Sequence, residues 1–206
     1  MVFEYFRKYT GAPEKATAVV VGKHKLEILA YSNHPDYGKK YKAPVFISSN
    51  DTSVLGDVKK VLSCNHPRIL MINLPNVDSA GHTGVWSKYV TAIQAADSLI
   101  WNLWQTIQSD SFYKNTTTLF VTNDHGRHDD THGSFKNHGD RCEGCRHIIC
   151  LAVGRGFQAN QIITEKRIQC DITPTIGELL SLPTPFSTVT SLLQSVHSDN
   201  IELQTK

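Results

Sequence analysis

Apolar positions fall into two kinds of run along this chain. Thr17-Ala18-Val19-Val20-Val21-Gly22 and Arg68-Ile69-Leu70-Met71-Ile72-Asn73-Leu74 are short, continuous and rich in aliphatic residues, the pattern of strands buried on both faces. Leu119-Phe120-Val121 and His147 to Val153 repeat it, the latter stopped by Gly154. Between 85 and 108 the pattern changes. Trp86, Tyr89, Val90, Ile93, Ala96, Ile100, Leu103, Trp104 and Ile107 recur at steps of three and four, which predicts a long helix with its stripe in a core. Asp171-Ile172-Thr173-Pro174 predicts a second helix start, capped by the aspartate, with apolar residues continuing to Leu182. Met1 to Lys8 reads as an amphipathic helix, with none of the features of a secretory leader. Asp57 to Cys64 suggests a turn or two of helix.

Polar segments separate these runs. Tyr31 to Tyr41 is rich in Asn, His, Pro, Gly and Lys and reads as a loop, as does the histidine-rich stretch 124–147. The tail after Ser187 is polar and expected to fray. Alternation of strand, helix, strand, loop, strand and helix predicts an α/β fold with a mostly parallel sheet flanked by helices. Such folds gather their sites beyond the carboxyl ends of strands. That rule selects Asn73 to His82 and Asn123 to His138.

Composition narrows the class. Apolar residues make up 40% and charged residues 19% of 206 residues, which excludes a disordered chain and allows one domain with a real core. No apolar run reaches the ~18–20 residues of a membrane span. With 21 Lys+Arg against 19 Asp+Glu the net charge is +2, and no basic stripe marks a nucleic-acid surface. Five cysteines are too few for a disulfide scaffold.

The chemistry lies in the histidines and aspartates. His125, His128, His132, His138 and His147 crowd one loop, interleaved with Asp124, Asp129, Asp130 and Asp140, while Asp78 and His82 stand at the other selected strand end. Imidazole and carboxylate suit zinc and related divalent metals. Asp78 and His82 are four apart, so one turn of helix lets both face one ion. Asp124 and His125 are adjacent, and a turn at Gly126 is needed to bring them to the same side. Cys142-Glu143-Gly144-Cys145 allows a small structural zinc site with His138 and His147, a redox pair, or a local disulfide.

In order, Asp78-Ser79-Ala80-Gly81-His82, Ala96-Asp97, Thr122-Asn123-Asp124-His125-Gly126 and His138-Gly139-Asp140 resemble the alkaline phosphatase superfamily. The wording looks nearest to its sulfatase-like and type I phosphodiesterase/nucleotide pyrophosphatase branch. Asp171 to Ile176 is similar to the family's C-terminal helix. The resemblance implies a three-layer sandwich and a binuclear metal-dependent hydrolase of phosphate or sulfate esters. By it, Asp78, His82 and His138 hold one Zn²⁺, with Mn²⁺ or Mg²⁺ as alternatives. Asp124 and His125 hold a second, together with an Asp and a nucleophilic Thr or Ser from the family's N-terminal third.

Those last two residues have no counterpart in 1–206 at the family's place in the order, and Ser48, Ser49, Thr52 and Ser53 lie elsewhere in it. The expectation is therefore a single, incomplete catalytic domain with one metal site complete and little activity by itself. Its substrate is a small ester, and its exposed sheet edge is expected to favour self-association. The competing reading is a catalytically silent metal-binding remnant whose zinc, bound by His138, Cys142, Cys145 and His147, is structural. A generic interaction module explains the sheet but not the ordered Asp/His motifs.

Overall fold

The computed structural model describes residues 1–193, and the end of the polar tail lies outside them. Strand β1 (Thr17–Val21) is the centre of the molecule, with all five residues buried. It pairs in parallel with β2 (Val45–Ile47) on one side and β3 (Ile69–Asn73) on the other. Its side chains alternate between two cores. Ala18 and Val20 pack with Val54, Val58, Val61 and Leu62 of α2 (Asp51–Asn65) and with Leu103 and Ile107 further along the chain. Val19 and Val21 face the other way, onto Phe3 and Phe6 of α1 (Val2–Thr10), Ala30 and Ala43. A strand covered by helices on both sides has no polar face, which is why its sequence reads as a continuous apolar run.

The chain is thus α/β, with a parallel sheet flanked by helices. Helix α2 starts at Asn50, whose side chain accepts from the Ser53 amide at 3.0 Å. Ser53 Oγ contacts the same Asn50 oxygen, and Ser48 Oγ donates to Asp57. These hydroxyls of the 48–53 cluster are engaged locally. Helix α3 (Asn76–His82) follows β3 directly, and α4 (Trp86–Ser109) follows α3. The tight passage of β1 past β3 depends on Gly22, where a Cβ would sit 2.2 Å from the Pro75 ring.

Two expectations are corrected. Strands β4 (Thr118–Thr122) and β5 (Cys150–Gly154) lie where the apolar runs place them, but they pair antiparallel in a ladder of their own rather than extending the parallel sheet. The α4 stripe is buried only at Ala96, Leu103 and Ile107. Trp86 and Ile93, expected in the core, are 61% and 44% exposed, because only the C-terminal half of α4 lies over β1 and α2. Trp86 instead packs with Tyr89 and Phe135 in a surface aromatic group.

A single turn, α5 (Glu143–Arg146), interrupts the loop between β4 and β5. Helix α6 (Ile172–Leu179) stands at its expected start, but the Asp171 carboxylate accepts from the Ile168 amide behind it rather than capping the helix. Among the described residues no helix is long and apolar enough to cross a membrane.

Candidate metal centre

The site begins where β3 ends. Its last residue is Asn73, and the chain turns through Pro75 into α3. Asp78 and His82 are one turn apart on that short helix and share a face, with Asp78 Oδ1 3.3 Å from His82 Nε2. His138 comes in from the loop between β4 and β5. Its Nε2 is 3.4 Å from Asp78 Oδ1 and 3.1 Å from His82 Nε2. Three ligand-type atoms therefore form a triangle with edges of 3.1–3.4 Å. Bonds of ~2.0–2.2 Å from one tetrahedral ion to its N and O ligands separate those ligands by about 3.3–3.5 Å. The donor set and its spacing fit a divalent metal with a free coordination position.

The other two sequence-selected residues stand beside this triangle. The His125 ring stacks on His138 with centroids 3.7 Å apart. Its Nδ1 donates to the Gly126 carbonyl at 2.9 Å, which leaves Nε2 with its lone pair free to ligate. Asp124 lies at the rim. Its carboxylate is 76% exposed and 3.7 Å from His125 Nε2, and it makes no contact with Asp78 or His82. Asp97, quoted in the resemblance, is exposed on α4.

Electrostatics favour the ligating forms. Burial alone would raise the Asp78 carboxyl, but the hydrogen bond and charge of Lys23, with Arg127 and His82, outweigh it and hold it down at about 2. His138 is lowered, first by burial and then by the charge of His125, a shift that favours its neutral imidazole. Neutral imidazole and ionised carboxylate are what a metal binds.

Lys23 and Arg127 are not foreseen by the motifs. Lys23 stands just past the carboxyl end of β1 and pairs with Asp78 Oδ2. Arg127 donates to the Asp78 backbone carbonyl at 2.8 Å and to its carboxylate. Its guanidinium fits only because residue 81 is glycine, where a Cβ would lie 2.4 Å from the Arg127 Cζ. The strand-end rule that selected Asp78 and Asp124 applies equally to Lys23 beyond β1, and it is the one signal that marks it.

A second cluster occupies the other side of the 124–147 loop. His128, Asp140, Cys142 and Cys145 each offer one ligand atom, all within 4.8 Å of one another. This corrects the expected grouping of His138 and His147 with the two cysteines. His138 is drawn to Asp78 and His82, and His147 is exposed at the end of α5.

A family model described as the Metalloenzyme superfamily matches residues 45–184. A 2,3-bisphosphoglycerate-independent phosphoglycerate mutase of Haloquadratum walsbyi is 29% identical over 139 residues, 68% of this chain and 26% of the relative. A mutase of the same description from Methanosarcina acetivorans is 25% identical over 117 residues, 57% of this chain and 21% of the relative. The fold is shared with a crystal structure of Leishmania mexicana phosphoglycerate mutase at low cobalt concentration. The TM-score is 0.62 at 17% identity, covering 92% of this chain and 38% of that one. The chain thus spans about a quarter of the length of these curated relatives. They are mutases, so the comparison lends no support to the sulfatase-like and phosphodiesterase branch suggested by the motif wording.

Proposed function

The chain belongs to the Metalloenzyme superfamily, and from that premise we propose that it forms the metal-holding part of a metal-dependent phosphoryl-transfer enzyme acting on a small phosphate ester. The observation that carries this reading is the Asp78, His82 and His138 triangle at the carboxyl end of β3. These three residues hold one divalent ion. His125, with Asp124 at the rim, contributes to a second, whose remaining ligands and the nucleophile come from outside residues 1–206. Bound there, the metal pair supplies positive charge to the attacking and leaving oxygens of a phosphoryl displacement.

The chain's own residues prepare that chemistry. Lys23 and Arg127 keep Asp78 ionised and fix its position on α3. The same two cations place positive charge beside the site, where a phosphate ester carries its negative charge. The Gly126 carbonyl fixes the His125 tautomer, and burial keeps His138 neutral. Zn²⁺, Mn²⁺ and Co²⁺ all suit an Asp/His₂ set, and we favour zinc for its tetrahedral preference.

Calorimetric titration of residues 1–206 with each of these ions tests the reading. One ion is expected to bind through the triangle, and His82→Ala and Asp78→Asn are expected to abolish that binding. Titration without binding, or binding unchanged in both variants, would overturn it. Residues 1–206 by themselves are expected to release negligible phosphate from p-nitrophenyl phosphate. Robust metal-dependent turnover would locate a nucleophile within them.

A further inference from the structure

The Cys142-Glu143-Gly144-Cys145 turn is not used by the phosphoryl-transfer site, yet it is built into its neighbour. Cys142 precedes α5, and its Sγ accepts from the Cys145 amide at 3.4 Å, an arrangement that orients both sulfurs to one side of the turn. The Cys142 amide in turn donates to Asp140 Oδ1 at 2.9 Å. The turn is pressed against the chain at 126–129. Gly126 donates its amide to the Cys145 carbonyl at 2.9 Å. A Cβ on Gly126 would come within 2.0 Å of the Gly144 carbonyl oxygen, and one on Gly144 within 2.3 Å of the Arg127 carbonyl oxygen. Backbone contact this close brings His128 opposite the two sulfurs.

His128 is the informative residue. Its side chain is only 14% exposed, and both ring nitrogens are buried without a hydrogen-bond partner. A buried imidazole with neither nitrogen satisfied is costly, by ~1–3 kcal/mol for each group, and native structures seldom leave one so. Its Nε2 faces Asp140 Oδ2 at 3.4 Å, out of line for a hydrogen bond but at the separation expected for two ligands of one tetrahedral ion. All four donor atoms fall within 4.8 Å of one another, where Zn–S bonds of ~2.3 Å put two thiolates about 3.8 Å apart.

We propose that His128, Asp140, Cys142 and Cys145 form a structural zinc site, distinct from the Asp78, His82 and His138 centre. The two sulfurs exclude Mg²⁺ and Ca²⁺ as natural occupants, and a closed set of four protein ligands marks a structural rather than a catalytic role. Binding displaces the two thiol protons to solvent. The ion joins residue 128 to residues 140–145 and so closes the segment that carries His138. Asp129 and His132, which also approach Cys142, are committed elsewhere. His132 Nδ1 is 2.7 Å from the Asp129 carboxylate, and that carboxylate also accepts from the Thr131 and His132 amides.

Cobalt spectroscopy separates this site from the other, because the Asp78 centre has no sulfur ligand. Residues 1–206, stripped of metal under reducing conditions and titrated with Co²⁺, are expected to develop the intense near-ultraviolet band of thiolate-to-cobalt charge transfer. One equivalent of Zn²⁺ should bleach it. The band should vanish in Cys142→Ser and in Cys145→Ser, survive in His82→Ala, and persist when the exposed Cys64, Cys150 and Cys170 are all changed to serine. Asp140→Cys should strengthen it. Because the wild-type titration alone is decisive, failure of a variant to fold does not rescue the proposal. Absence of the band in the wild-type chain, its survival in both single cysteine variants, or a Cys142–Cys145 disulfide in protein purified anaerobically from zinc-replete cells would overturn it. Loss of one bound equivalent in His82→Ala with the cobalt band intact would confirm two separate sites.

Discussion

At position 51 an aspartate is 2% exposed, and one of its carboxylate oxygens accepts from the Asn76 amide at 2.9 Å while the other has no partner. It therefore ties the start of α2 to the start of α3, which carries Asp78 and His82. Burial raises its pKa more than the amide lowers it. With the folded-state value raised, the protonated form is favoured by folding. Stability from this group is fully present below the ordinary carboxylate range and is lost as pH rises through the folded value. Asp51→Asn keeps an acceptor for Asn76 and removes the charge. The variant is expected to gain in Tm relative to wild type as pH rises from 4 to 8. Melting curves showing a pH-independent difference would contradict this. The candidate ligands Asp78, His82 and His138 are legible because they belong to ordered motifs at strand ends. Lys23 and Arg127 were not, since a basic residue carries no ligand signature and only its approach to Asp78 gives it a role. Asp124 was legible as a residue type but stands at the rim, because its neighbour His125 takes the inward direction of the turn.

Among the elements, two glycines invite opposite outcomes. Gly81 lies inside α3, where alanine is favoured by ~1 kcal/mol on helix propensity, and its clash is with the far end of the long Arg127 side chain rather than with backbone. Gly81→Ala is expected to leave the unfolding free energy within about 1 kcal/mol of wild type while displacing Arg127 from Asp78, which calorimetry would read as altered metal affinity. Gly126 faces backbone at 2.0 Å, which cannot yield. Gly126→Ala is expected to cost at least ~2 kcal/mol in denaturant unfolding. Burial on both faces is readable for β1 because all five residues are apolar or β-branched. Partners were less so. Apolar runs locate β4 and β5 but say nothing of direction, and their antiparallel pairing is set by the loop that returns the chain. The stripe on α4 likewise fixes a face without fixing what covers it, which is why Trp86 and Ile93 were misplaced in the core.

Over the whole molecule, several large apolar side chains remain open to solvent. Trp101, Ile149, Leu151 and Phe186 are 61%, 62%, 56% and 60% exposed. Residues 1–206 are expected to self-associate with rising concentration, and sedimentation velocity showing a monomer throughout the micromolar range would refute that. The fold class followed from alternation alone, since a parallel pair needs a crossover and the sequence supplies helical segments between its strands. One further consequence lies in the tripeptide Gly126-Arg127-His128. Its first residue is bonded to the cysteine turn, its second to Asp78 and its third faces the two sulfurs. Three adjacent residues thus link the two ion clusters, each touching one of them. Occupancy of either then restrains the same short stretch of backbone, so each ion should bind more tightly in the presence of the other, and by an identical factor in both directions. The two clusters would behave as one cooperative unit, loaded together or released together as free metal falls.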